Sequence, residues 1–441
     1  MRSRKGKSLS ADIGVPTRGA IRKVQIKEAR KGTDVLVELH LLQNFAPSNL
    51  NRDDTGAPKD CELGGHRRAR ISSQSIKRAI RQTFKSEDLL SEEQLAARTK
   101  RAAQAVADRL IQRDSSRSAE DAAAVAGALL NSIKSGLHNV ADGKTQYLLF
   151  LGGAELDGAA SVAEQYWDAL LTAGSALPSA EGEEVATPAR GRGRRGAGQA
   201  APGVSVPPAI RAALIQKLDG RRSADLALFG RMIADLPDQN VDAASQVAHA
   251  VSTNRVSMEM DFYTAVDDLK PDDTAGADML GTIEFNSACF YRYSNVDLAQ
   301  LRRNLGSEDL ARETLRAFLW ASILAIPTGK QNSMAAHNPP SLILAVAREH
   351  GLWNLANAFV RPIWPGRDGD LVDLSVQALD RYWQALTTMY GTRGIVGQWV
   401  CTTDPGALTG LNGVTVGNVD VLVEQVLGAA SFADRERTGR S

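Results

Sequence analysis

The sequence predicts an α+β fold in which strand and helix patterns fall into separate blocks. Three stretches carry that expectation. Asp34 to Leu42 alternates as a central strand does, with Val35, Val37, Leu39 and Leu41 on one side and Leu36, Glu38, His40 and Leu42 on the other. Glu87 to Leu171 is Ala-rich with helical spacing of apolar residues, as in Leu89, Leu90, Leu95, Val106, Leu110 and Ile111, then Val125, Leu129, Leu130 and Ile133. Asp261 to Tyr293 reads as a long hairpin, since Phe262-Tyr263 and Phe290-Tyr291-Arg292-Tyr293 flank a turn-rich KPDDTAGAD loop. With 441 residues, 43% of them hydrophobic, the chain is long enough for two or more packed units.

Composition narrows the function classes. The most apolar helical stretch, Ala317 to Pro327, is too short to span a bilayer, and the basic N-terminus leads into no apolar run, so a cytoplasmic protein without a membrane partner is expected. Cys61, Cys289 and Cys401 are far apart, which argues against disulfides and zinc. The six histidines share no metal spacing, and HExxH, Walker and serine-elbow motifs are absent from the sequence. Asp53-Asp54, Asp267-Asp268 and Asp272-Asp273 fit turns and caps better than a metal site, so no catalytic residue, metal or cofactor is expected.

Residues 1–32 hold ten Lys or Arg against Asp12 and Glu28 with few large apolar side chains, which predicts a disordered basic extension. After the first strand comes the segment with the strongest local signal, Asn49 to Lys85. Its second half, from His66, has seven cations (Arg67, Arg68, Arg70, Lys77, Arg78, Arg81, Lys85) and no acid, in a chain whose net charge is only +1. Such a local field suits an anion. From Ser72 onward Ile76, Ala79, Ile80 and Phe84 repeat at helical spacing, with Ser72 or Ser73 as N-cap. Unpaired N–H groups at that terminus, with Ser72, Ser73 and Gln74 as added donors, suit a phosphate; Lys77 and Arg81 lie one and two turns on. The loop around Pro58 keeps Arg52 and Lys59 nearby, and Gly64-Gly65 allows close backbone approach. A solvated cationic helix packed by its apolar stripe is the competing account.

Residues 176–208 have almost no large apolar side chains and read as a loop without a core; its Arg190, Arg192, Arg194 and Arg195 fit a solvated insertion. Ala224 to Met232 reads as a short strand or turn and Asp242 to Val251 as a helix, while Met232, after Gly230-Arg231, would by itself be a core gap filler. Ser307, Glu308 and Asp309 open a helix with Leu315, Phe318, Leu319 and Ile323 as its stripe, ended by Pro327. Thr328 to Gln331 is a turn with a basic residue, Ser341 to Ala347 is a buried strand, and Trp353 to Phe359 and Leu374 to Met389 are helices.

LNRDD, GGHRRARISSQSIKRA and FYTAVDDL followed by GTIEF and FYRY resemble, in order, the CasC family, the guide-RNA-binding backbone subunit of type I-E CRISPR Cascade. The resemblance implies an RRM-like (ferredoxin-like) palm with an inserted helical finger and a β-hairpin thumb. It divides the chain into palm at 33–86, 245–260 and 294–432, finger at 87–244, thumb at 261–293 and a polar tail at 433–441. The first strand lacks the aromatics on which an RRM sheet stacks bases, so loops and helix ends would hold the RNA. The resemblance implies that Met232 is an apolar wedge near RNA, that Tyr263, Thr264 and Leu280 of the thumb lie near its contacts, and that Lys330 and Gln331 face it. It further implies a non-enzymatic protein partnered by CRISPR guide RNA, further copies of itself, other Cascade subunits and, through the guide, target DNA. Two alternatives are a metal-dependent endoribonuclease, since related backbone subunits cut RNA with a loop aspartate, and a single-strand RNA-binding regulator.

Overall fold

In the computed structural model the described residues are 35–133, 144–145, 148–175, 206–233, 236–265, 279–367 and 369–430. The expectations for residues 1–32, for the four arginines of the 176–208 segment, for the acidic pairs Asp267-Asp268 and Asp272-Asp273 and for the tail at 433–441 lie outside them.

The first strand, Leu36–Ser48, sits between Leu342–Arg348 on one side and Met279–Asp297 on the other. The sheet continues outward through Ile395–Thr402 at one edge and through Ala250–Ser252, His66–Ile71 and Asp60–Leu63 at the other, with every pairing antiparallel. In chain order the inner elements are strand Leu36–Ser48, helix Ser73–Ser86, strand Ala250–Ser252, strand Met279–Asp297, helix Glu308–Leu324 and strand Leu342–Arg348. Across the sheet those four strands stand fourth, first, third, second, an α+β order compatible with the RRM-like palm predicted.

Helices cover both faces of this sheet. Val37, Leu39 and Leu41 share one core with Ile76, Ile80 and Phe84 of the basic helix, with Leu315, Phe318 and Leu319, and with Leu422 and Val426 of the last helix, Val419–Ala429. On the other face Leu42, Leu344 and Val346 pack against Leu379 and Trp383 of the helix Leu371–Tyr390. Burial on both faces explains why the strand Leu342–Arg348 is apolar almost throughout. Among the described residues it leaves no open face on the central strands Leu36–Ser48 and Leu342–Arg348.

Glu38 and His40 point into the second core, where Tyr293 donates a hydrogen bond to Glu38 and Arg348 pairs with it. A separate core forms the finger, where Val106, Leu110, Val125, Leu129, Leu156, Leu170 and Leu214 pack together. The finger joins the palm through the strand Ala96–Thr99, paired with Leu149–Gly152.

Three expectations are corrected. Ala224–Phe229 is helical, and Asp242 to Val251 is not: it holds the strands Ser245–Val247 and Ala250–Ser252, both paired with Met279–Asp297. Buried Ser245 and Val247 around exposed Gln246 show the strand period, and cross-strand pairing overrides the helical propensity of the alanines. The hairpin begins at Glu259, and only the first part of its returning strand, Met279 to Phe285, pairs with Glu259–Ala265. Beyond it the strand joins the palm, so Phe290, Tyr291 and Tyr293 are core residues rather than thumb residues.

Candidate nucleic-acid interface

The helix Ser73–Ser86 is capped by Ser72, whose hydroxyl accepts a hydrogen bond from the Ser75 N–H. Ser72 donates its own N–H to Asn51 Oδ1 at 2.7 Å, and the Lys59 N–H donates to the Asn51 carbonyl at 2.8 Å. The loop from Asn49 to Lys59 is therefore stitched to the helix start. His249 stands at the same terminus, its Nδ1 accepting from the Ser73 N–H at 3.3 Å and from Arg70 Nη1 at 3.2 Å. Both bonds require the neutral ring with its proton on Nε2. Partial burial, then the charges of Arg70 and Lys59, hold the imidazole pKa below its ordinary value.

Asp53 shapes the loop. Its Oδ1 accepts from the Thr55 hydroxyl at 2.8 Å, the Thr55 N–H at 2.9 Å and the Ala57 N–H at 3.0 Å, and these bonds, the hydroxyl first, hold its carboxyl below the usual range. Such a turn leaves Arg52 exposed beside it. Buried Asn49 donates to the Gly56 carbonyl and to the Glu284 carbonyl of the hairpin, tying loop to thumb. Gly329 lies so close to the loop that a Cβ there would stand 2.4 Å from the Leu50 carbonyl oxygen, so the turn at Thr328 to Gln331 meets the same place. Between them is an open groove of about 510 Å³ lined by Leu50, Arg52, Asp53, Asp54, Thr55 and Gly329.

Of the predicted residues, the structure thus brings Arg52, Lys59, Ser72, Ser73 and Gln74 together, with Lys330 on the adjoining turn. Lys330 takes the left-handed conformation at φ 52°, and Gln331 turns its amide inward, donating to the Pro327 and Ala336 carbonyls. Lys77 lies on the same helix face as Ser73, its ammonium 5.6 Å from the centre of the Phe229 ring.

Arg81 departs from expectation. Its Nε donates to the buried Asp225 carboxylate at 2.7 Å, its Nη2 to the Ala96 carbonyl at 2.9 Å, and its guanidinium lies 4.6 Å from the Phe150 ring centre, so it ties palm to finger. The basic run is likewise less open than its composition implies. Arg68 is wholly buried and donates to the carbonyls of Ser252, Thr253, Phe359 and Val360, and Arg67 pairs with Asp60.

Met232 is 82% exposed on the finger, although Arg231 beside it is buried. Met260, Phe262 and Tyr263 of the hairpin are 71%, 62% and 44% exposed, and Thr264 is exposed. Tyr263 lies across Gly281, its registered partner, where a Cβ would meet the ring at 2.3 Å. Leu280 is registered opposite Thr264; its side chain lies outside the described residues. The residues that sequence reasoning missed are His249, in a segment misread as helix, and Arg98, on a short strand with no motif around it.

The α+β sheet is packed by helices on both faces of its central strands, and exposed cations gather on loops and at a helix start, an arrangement that suits an anion. The chain belongs to the CT1975-like protein family, whose pattern it matches over residues 37–427. It is similar to a chain of a solved "CRISPR RNA-guided surveillance complex, pre-nicking" at 28% identity and a TM-score of 0.74, covering 90% of this chain and 100% of that one. It is similar also to a chain of a "CRISPR RNA-guided surveillance complex" at 26% identity and a TM-score of 0.63, covering 89% and 99%. Family and structural likeness together mark a Cascade-type CRISPR protein. A comparison with curated proteins returned no match.

Proposed function

We propose that this chain is a non-catalytic backbone subunit of a Cascade surveillance complex, of the type I-E kind, that polymerises along a guide RNA and holds its phosphates while leaving its bases free to pair with target DNA. The observation that carries the reading is the meeting of Lys59, Arg70, His249 and the Ser73 N–H at one helix start, with the exposed thumb tied to the same loop through Asn49. Donors and cations at a helix N-terminus suit a phosphate. With helices packed on both faces of the central strands, bases cannot stack on those strands, which favours contacts to the RNA backbone. The solved structures it resembles are RNA-guided complexes, which supports guide RNA and neighbouring subunits as partners.

A metal-dependent endoribonuclease would need a free loop aspartate; Asp53 is held in its own turn by three hydrogen bonds, which favours a structural role, and leaves the exposed Asp54 of the same groove as the residue that reading would use. Purification with the other subunits tests the proposal: bound RNA of uniform length with repeat-derived ends is expected, and no cleavage in Mg2+ or Mn2+. Absence of RNA overturns the binding reading, and cleavage lost on Asp53→Ala or Asp54→Ala overturns the non-enzymatic one.

A further inference from the structure

One turn beyond the helix start the charges do not balance. Lys77, Arg81 and Arg98 lie at the junction of palm and finger around the Asp225 carboxylate. Arg81 takes that carboxylate, whose other oxygen accepts the Ala96 N–H at 2.8 Å. The Arg98 side chain forms no hydrogen bond or ion pair among the described residues; its guanidinium rests 4.8 Å from the centre of the Phe150 ring that Arg81 also covers. Lys77 rests on Phe229 in the same way. Aromatic stems hold both cations in place without neutralising them. Partial burial first, and a neighbouring cation second, disfavour their charged forms, Arg98 acting on Lys77 and Arg81 on Arg98; the Asp225 carboxylate opposes the shift of Arg98 but does not reverse it. A pre-positioned, underneutralised pair of cations is a site for an anion.

We propose that Lys77 and Arg98 form a second phosphate subsite, taking the phosphodiester next to the one at the helix start, and that Arg98 fills the role the sequence assigns to Arg81. This rests on the RNA-binding reading above. Ser73 and Lys77 are one turn apart on one face, about 6 Å along the axis, which is the order of the spacing between neighbouring phosphates of an extended strand. Phosphate is the fitting ligand because two cations on separate elements, the helix and the Ala96–Thr99 strand, can bracket one doubly exposed oxygen pair.

The test compares the full chain with Arg98→Ala and Arg98→Lys by fluorescence anisotropy with a labelled single-stranded RNA over a salt series. Loss of one phosphate contact lowers the slope of log K against log salt by about 0.7, which is about a fivefold loss of affinity at 0.1 M. Arg98→Lys is expected to restore the slope, because it restores the charge. Should Arg98→Ala disturb the fold by circular dichroism, Arg98→Gln keeps the stem over Phe150 and is expected to show the same loss. An unchanged slope in the neutral variants, or one that lysine does not restore, overturns the subsite. Wild-type protein that binds no RNA overturns the functional reading instead, and the two failures are told apart by that control.

Discussion

Replacing Glu155 by Gln removes the carboxylate that faces Arg231 inside the finger. Their side chains are 1% and 2% exposed, and Arg231 Nη1 donates to both carboxylate oxygens at 2.7 and 2.8 Å. The same carboxylate accepts the Gly220 and Gly152 N–H groups, while Arg231 also donates to the carbonyls of Phe150, Leu218 and Gln239. This network fixes the chain on either side of Gly230, which has φ 76° and would place a Cβ 2.9 Å from the Val241 carbonyl, and it turns Met232 outward. Breaking one partner leaves a buried guanidinium without its counter-charge, a loss of about 3–5 kcal/mol. The comparison is Asp157→Asn, which breaks the exposed Arg109–Asp157 pair at a cost of about 1 kcal/mol or less. For a unit the size of the finger the first change lowers Tm by about 6–20 °C. Calorimetry resolves this, and limited proteolysis locates it. Glu155→Gln and Asp157→Asn with the same Tm would refute the reasoning.

His40 titrates in the same spirit within the palm: burial, then the Arg348 charge, holds its imidazole pKa down to about 3. An unfolded histidine titrates near 6.5, so the folded state favours the neutral ring; the contribution is full above about 6.5 and is lost as pH falls from there toward the folded value. About 2 kcal/mol should vanish between about pH 7 and 5, read by urea unfolding, and His40→Gln should flatten that difference relative to wild type. At the helix start, Lys59→Ala with Arg70→Ala should lower the RNA-binding salt slope by about 1.4, two contacts' worth, and an unchanged slope in the anisotropy series would remove these residues from the interface.

Much of the fold is legible in the sequence because it depends on local periodicity. Val37, Leu39 and Leu41 alternate, and Ile76, Ile80 and Phe84 repeat at three and four, and each set lands in the core where its period puts it. Ser72 and Ser307 cap the helices they precede. The segment 242–251 reads as a helix because its alanines carry a helical propensity, whereas its strands are fixed by pairing with residues 290–296, far away in sequence. The site is legible where chemistry is clustered in one stretch, as with Arg52, Lys59, Ser72 and Ser73. It is not legible where a side chain's partner comes from elsewhere. Arg68 and Arg81 look like surface cations in the sequence, yet one is absorbed by backbone carbonyls from residues 252–253 and 359–360 and the other by Asp225. Arg98 and His249 carry no local signal; only folding brings them beside Lys77 and Ser73.

Subunits that polymerise along a guide RNA as proposed, each presenting its exposed hairpin in the same way, impose a repeat on the RNA itself. Heterologous head-to-tail contacts propagate at a fixed interval, so chemical probing of the assembled wild type should show reactive nucleotides at one regular spacing. A variant in which residues 265–281 are replaced by a short Gly-Ser turn should keep measurable single-subunit affinity while losing both the repeat and cooperative binding. A reactivity profile without a repeat in the wild type, or the same repeat in both proteins, would contradict that proposal.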